Sequence, residues 1–182
     1  MIKTSSDNLD SLNLLRENSL VFFSVRDRTA QNQIMFNLIA SNILNGSHVI
    51  LFSTLNSYTD SYSNLLSRVD PKVERGEMSL LVPDFRNKLD IDGVISSGRE
   101  PDLIIFDSLE NIKSSFNTVP DDTISFTRMV RDSYNTPVIC FSTEEYVRDS
   151  IDLSVKITAG DQLEAEVLKS VSGKINKFYW GN

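Results

Sequence analysis

The chain has 182 residues, of which 40% are hydrophobic and 24% charged, a balance ordinary for a globular protein with room for a sizeable core. A net charge of −7 argues against a protein that holds nucleic acid mainly through a positive field, although a local basic patch can exist on an acidic chain. One cysteine excludes an intrachain disulfide, and no apolar run approaches the roughly 18 residues of a membrane helix, so a reducing, cytoplasmic setting away from membranes is the expectation, with no signal peptide.

Residues 1–18 are polar with scattered leucines at Leu9, Leu12, Leu14 and Leu15, and read as an N-terminal arm or short helix ahead of a single domain over 19–182. Residues 19–24 (SLVFFS) form the first strand, apolar on consecutive positions. A polar turn follows at 25–29, and then a helix over 30–45. Its apolar residues Ile34, Met35, Phe36, Leu38, Ile39, Ile43 and Leu44 cover most of the circumference, the pattern of a helix buried between a sheet and another element. Asn45-Gly46 ends it, with Gly46 suited to the left-handed position after a helix. Residues 48–54 (HVILFST) are a second buried strand, 57–69 a helix, 78–82 a short third strand and 89–97 a further helix.

Residues 102–108 (DLIIFDS) are the centre of the pattern. Four apolar residues run without a break and end on Asp107, which predicts a strand buried on both faces with a carboxylate at its C-terminal end. Ligands of open α/β sheets sit at those strand ends. Pro120-Asp121-Asp122 opens a helix running to about Tyr134, with acidic residues at its positive end. Residues 137–142 (PVICFS) are another buried strand, and 144–148 a short helical stretch. Three strand-like pieces close the chain, at 151–158, 163–170 and 175–180, separated by glycine-containing turns. The order predicts an α/β fold of three layers: a mainly parallel central sheet, helices on both faces, and a C-terminal antiparallel β meander.

This order and its local landmarks resemble the RecA-like ATPases, most closely the KaiC and RadA branch, over nearly the whole chain from Ser19 to Trp180. The landmarks are the first strand with its long apolar helix, a second strand ending in Ser53-Thr54-Leu55, the strand ending in Asp107-Ser108, a later strand ending in Ser142-Thr143, an acidic position at Asp152 and a closing hairpin. The resemblance makes Asp107, with Ser108, the counterpart of the Walker B aspartate, which helps hold magnesium in P-loop NTPases. It also shows what this chain lacks. The phosphate-loop pattern G-x-x-x-x-G-K-[ST] would fall on 24–31. Ser24 and Thr29 stand where glycines should be, Ala30 replaces the lysine, Gln31 replaces the magnesium-binding hydroxyl, and Arg26 and Arg28 lie between. No glycine precedes Gly46, so no small shift restores the loop. Asn56 stands where these ATPases place the glutamate that polarises the attacking water, and an amide cannot act as a carboxylate base.

The resemblance therefore implies a degenerate, non-catalytic member without cofactor or catalytic residues, and without a metal unless a nucleotide brings one to Asp107. Such a module would act as a scaffold or regulatory paralogue of an active RecA-like ATPase, in recombination, repair or another cellular machine, or as a homo-oligomer. The question of DNA stays open. Phe178, Tyr179 and Trp180 are the candidate interface, against the plainer reading of a closing strand packed on the core. Lys169, Lys174 and Lys177 around the same hairpin could form a basic strip. Two alternatives remain: an ATPase that holds nucleotide through Arg26 and Arg28, and a receiver-like phosphoacceptor switch at Asp107, with Thr143 at the end of the later strand. His48 is the sole histidine and Cys140 lies within an apolar run; both read as structural.

Overall fold

A computed structural model of the chain describes residues 18–53, 80–81, 100–110, 113, 120–171 and 177–180. The expected arm over 1–17, the helices at 57–69 and 89–97, Asn56 and the turn bearing Lys174 lie outside the described residues. Within them the chain runs β1 (Leu20–Val25), α1 (Arg28–Leu44), β2 (Val49–Ser53), β3 (Leu80–Leu81), β4 (Leu103–Asp107), α2 (Pro120–Tyr134), β5 (Val138–Ser142), β6 (Leu153–Thr158), β7 (Glu164–Ser170) and β8 (Lys177–Tyr179).

These strands form one mixed sheet in the order β3-β2-β4-β5-β1-β6-β7-β8. Pairing is parallel from β3 through to β6 and becomes antiparallel at β6–β7 and β7–β8. The turn to antiparallel pairing thus comes one strand later than the three closing pieces suggest, because β6 lies alongside β1 in the same direction.

Strand alternation divides the core in two. Val21, Phe23 and Val25 of β1, with Leu51, Leu103, Ile105, Ile139 and Phe141, join the buried stripe of α1. Leu20, Phe22, Ile50, Phe52, Ile104, Phe106, Val138 and Cys140 point the other way and meet Ile124 and Val130 of α2. The two helices therefore cover opposite faces. Phe22, Phe23, Phe52, Phe106 and Phe141 are almost wholly buried, each contributing about 2–3 kcal/mol through removal of its ring from water. Residues 103–107 of β4 are buried throughout, between β2 and β5, as the continuous apolar run predicts.

Two expectations change. Helix α1 buries a stripe of Gln31, Ile34, Met35, Leu38, Ile39, Asn42 and Ile43, and leaves Leu44 half exposed, so it is one-sided. Residues 144–148 are not helical. The loop they form is pinned by side chains that suit strand-end contacts, described below.

Candidate functional site

Parallel strands place their carboxyl ends at one rim of the sheet, and register fixes who meets there. Ser53 of β2 pairs with Asp107 of β4, and Ser24 of β1 pairs with Ser142 of β5. All four side chains are buried, so each needs a hydrogen-bond partner, since an unpaired polar group out of water is costly.

The stretch expected to form a five-residue turn at 25–29 is shorter in the structure. Val25 completes β1 and Arg28 already begins α1, leaving Arg26 and Asp27 as the whole connection. The reason is local. Asp27 has extended backbone angles and its carboxylate accepts a hydrogen bond from Ala30 N at 2.8 Å, an N-cap that starts the helix two residues early. Two residues with side chains cannot wrap a phosphate. The helix N-terminus, where a phosphate would sit in this fold class, instead carries the protein's own carboxylate.

Asp107 is 1% exposed. Its Oδ1 accepts from Arg28 Nη1 at 2.8 Å and from Gln31 Nε2 at 2.7 Å, while Oδ2 accepts from Arg28 Nη2 at 2.9 Å and from Ser53 Oγ at 3.3 Å. The guanidinium makes a fork-on-fork pair with the carboxylate, the strongest geometry such a pair has. Helical spacing brings Arg28 and Gln31 to it together, because residues three apart share a face. The Asp107–Ser108 peptide bond is cis. Arg28 is thus not a solvated loop residue: its guanidinium pairs with Asp107. Arg26 is exposed, as are Asp27 and Thr29, and Ala30 is buried.

A second polar cluster, not anticipated from the sequence, closes the rim over β1 and β5. Ser142 Oγ donates to Glu110 Oε1 at 2.6 Å, and Thr143 donates to the same oxygen through N at 2.9 Å and Oγ1 at 3.1 Å. Ser24 Oγ donates to Glu144 O at 2.9 Å, tying the loop to the end of β1. Tyr146, almost buried against Phe22, donates to Glu144 Oε2 at 2.9 Å, and Lys113 Nζ donates to the hydroxyl of Tyr146 and, at 3.3 Å, to Glu144 Oε2. Burial pushes the Glu110 carboxyl up, but the donors on Ser142 and Thr143 outweigh it and hold it below its ordinary value of 4.5. Burial lifts the Tyr146 hydroxyl; for Lys113 burial works downward, and Tyr146 and Glu144 reverse it, so the ammonium is held charged. The sequence signal for this cluster was the run of small hydroxyls and glutamates just beyond β4 and β5, at Ser108, Glu110 and 142–145.

The remaining candidates are placed elsewhere. Of the closing aromatics, Trp180 is buried edge-on to Phe23 at 5.5 Å, Phe178 packs against the same core, and only Tyr179 is exposed. Of the expected basic strip, Lys169 Nζ donates to the carbonyls of Arg148 and Asp149, and Lys177 lies between Glu164 and Glu166. His48 is buried at the start of β2 on the opposite rim. Burial drives the Cys140 thiol far up, so it is inert. Among the described residues, no group of three or more His, Cys, Asp or Glu side chains could hold a metal ion, and no helix is long and apolar enough to cross a membrane.

No protein-family model matches the chain, and no curated protein matches it.

Proposed function

We propose that this chain is a non-catalytic RecA- and KaiC-like module, a pseudo-ATPase that works by binding other proteins as a scaffold or regulatory paralogue of a RecA-like ATPase. The observation that carries the reading is the state of Asp107. The carboxylate that would serve magnesium is neutralised by Arg28 and further held by Gln31 and Ser53. A paired, neutralised carboxylate offers little attraction to a divalent cation. Asp27 adds a second obstacle, placing negative charge where a phosphate would enter. The sheet's parallel core and antiparallel C-terminal strands are of the kind the resemblance implies.

The reading that Arg26 and Arg28 hold nucleotide lacks such support, since an anion taking Arg28 would remove the guanidinium that pairs with a buried Asp107. A thermal-shift screen over nucleotides with magnesium, together with a phosphate-release assay, tests the proposal. No stabilisation and no turnover above background are expected. Turnover that disappears in Asp107→Ala would overturn it and restore the enzyme.

A further inference from the structure

Among the described residues, the meander is covered on one face only. Val155, Ile157, Ala165 and Val167, with Phe178 and Trp180, face the α1 side of the core. On the opposite face stand Lys156, Glu164, Glu166, Lys177 and Tyr179, in register across β6, β7 and β8. Among the described residues, strand β8 ends the sheet. Trp180 N donates to Leu163 O at 2.7 Å, so by antiparallel alternation Phe178 and Trp180 turn their backbone groups toward β7 and Tyr179 turns its N–H and C=O outward. Beside it, Tyr179 and the turn after β6 line a cleft of about 340 Å³ with Asp161 and Glu164. Tyr179 is 52% exposed. Asp161 has no ion-pair partner among the described residues. Glu164 and Glu166 share the single Lys177 at 3.5 and 3.3 Å. Lys156 on the same face is paired with Glu145 at 2.7 Å, so among the described residues Asp161, Glu164 and Glu166 stand against Lys177 and leave this edge net negative.

From this we infer that the open edge of β8 is a docking site for an extended, basic segment of a partner protein. The segment adds a strand beside β8 through the outward N–H and C=O of Tyr179, and lays an Arg or Lys side chain into the Asp161–Glu164 cleft across the Tyr179 ring. Edge pairing supplies direction and affinity, and the side-chain cleft supplies selectivity. A cation gains from both the carboxylates and the aromatic face. The same charge repels nucleic-acid phosphates, so the edge selects protein over DNA. This inference rests on the reading of the chain as a binding module and names its partner's chemistry.

The test uses the whole chain and a fluorescent peptide of alternating arginine and valine, with a glutamate–valine peptide as control, at physiological salt. Anisotropy is expected to report binding of the basic peptide alone, weakened at least about tenfold by Tyr179→Ser and by Asp161→Lys. Amide chemical-shift changes should centre on Tyr179, Asp161 and Glu164. Absence of binding, or binding that both variants leave unchanged, overturns the site. Binding of labelled single-stranded DNA by the chain alone that Tyr179→Ser weakens overturns the choice of protein over nucleic acid. A dimer of the chain itself that Asp161→Lys dissociates overturns it in favour of a second copy. The pseudo-ATPase reading does not depend on these results, because the nucleotide assays above decide it separately.

Discussion

Arg28 and Asp107 differ in what each leaves behind when removed. Asp107 is wholly buried, whereas the Arg28 side chain is 37% exposed and can turn to water. Arg28→Ala therefore takes the charged partner from a buried carboxylate, leaving it the neutral donors Gln31 and Ser53 among others, and should cost about 3 kcal/mol. Asp107→Asn keeps the shape and removes the charge, leaving a guanidinium that water can reach, and should cost clearly less. Urea unfolding of both variants measures the order; equal losses would mean the pair is not what holds the rim. Glu110 makes a different prediction. Its folded carboxyl titrates below 4.5 and its unfolded carboxyl close to it. Between the two values the unfolded chain binds more protons. The stabilising contribution is therefore complete above 4.5 and is lost as pH falls through the folded value. Melting temperatures followed from neutrality into acid should fall less steeply for Glu110→Gln than for the unaltered chain.

At the scale of elements, the connection between β1 and α1 shows how one cap changes a site. Had Asp27 not bound Ala30 N, the helix could start later and leave a longer loop at the rim. At the other end of α1, Gly46 adopts a φ of +85° and donates to Ile43 O at 2.8 Å, closing the helix. Nothing lies within 4 Å of where a Cβ would stand. The cost of Gly46→Ala is therefore purely conformational, about 1 kcal/mol, and Gly46→Asn should recover part of it because asparagine tolerates this region. Chemical denaturation of the two variants checks this. The helix end was readable from Asn45-Gly46. The helix start was not, because Asp27 reads equally well as a turn residue until its carboxylate is seen to meet Ala30. The loop at 144–148 is a similar case: its composition suits a helix, but Glu144 and Tyr146 are drawn into contacts with Ser24 and Lys113 that hold it open.

At the scale of the fold, and among the described residues, the sheet is covered by α1 and α2 over its parallel strands and is open along one face of its C-terminal strands. An acidic, one-sided surface with a short edge strand suits reversible protein contact better than a permanent apolar interface. Light scattering on the purified chain, combined with a pull-down from its source cell, tests action by association. An assembly or a RecA-like partner is expected. A strict monomer without a partner that binds single-stranded DNA tightly at physiological salt would overturn that expectation.

The sequence by itself determined the strands and their burial. Runs such as VILF at 49–52 and LIIF at 103–106 are apolar on both alternating sets of positions, and such segments reach low free energy only inside a sheet covered on both faces. It also determined that the glycines and lysine of a phosphate loop are missing, since that is a matter of residue type. Only the tertiary structure decided what the remaining polar residues do. Arg28 and Asp107 are 79 residues apart in the chain and Ser142 and Glu110 are 32 apart, and no local pattern encodes such pairings. They arise because β4 and β5 are inserted between β1 and β2, which brings distant strand ends to one rim where buried polar groups must find one another. The same step separated Tyr179 from Phe178 and Trp180. Three consecutive aromatics look alike in sequence, but a strand turns alternate side chains to opposite faces, and among the described residues only one face is covered here.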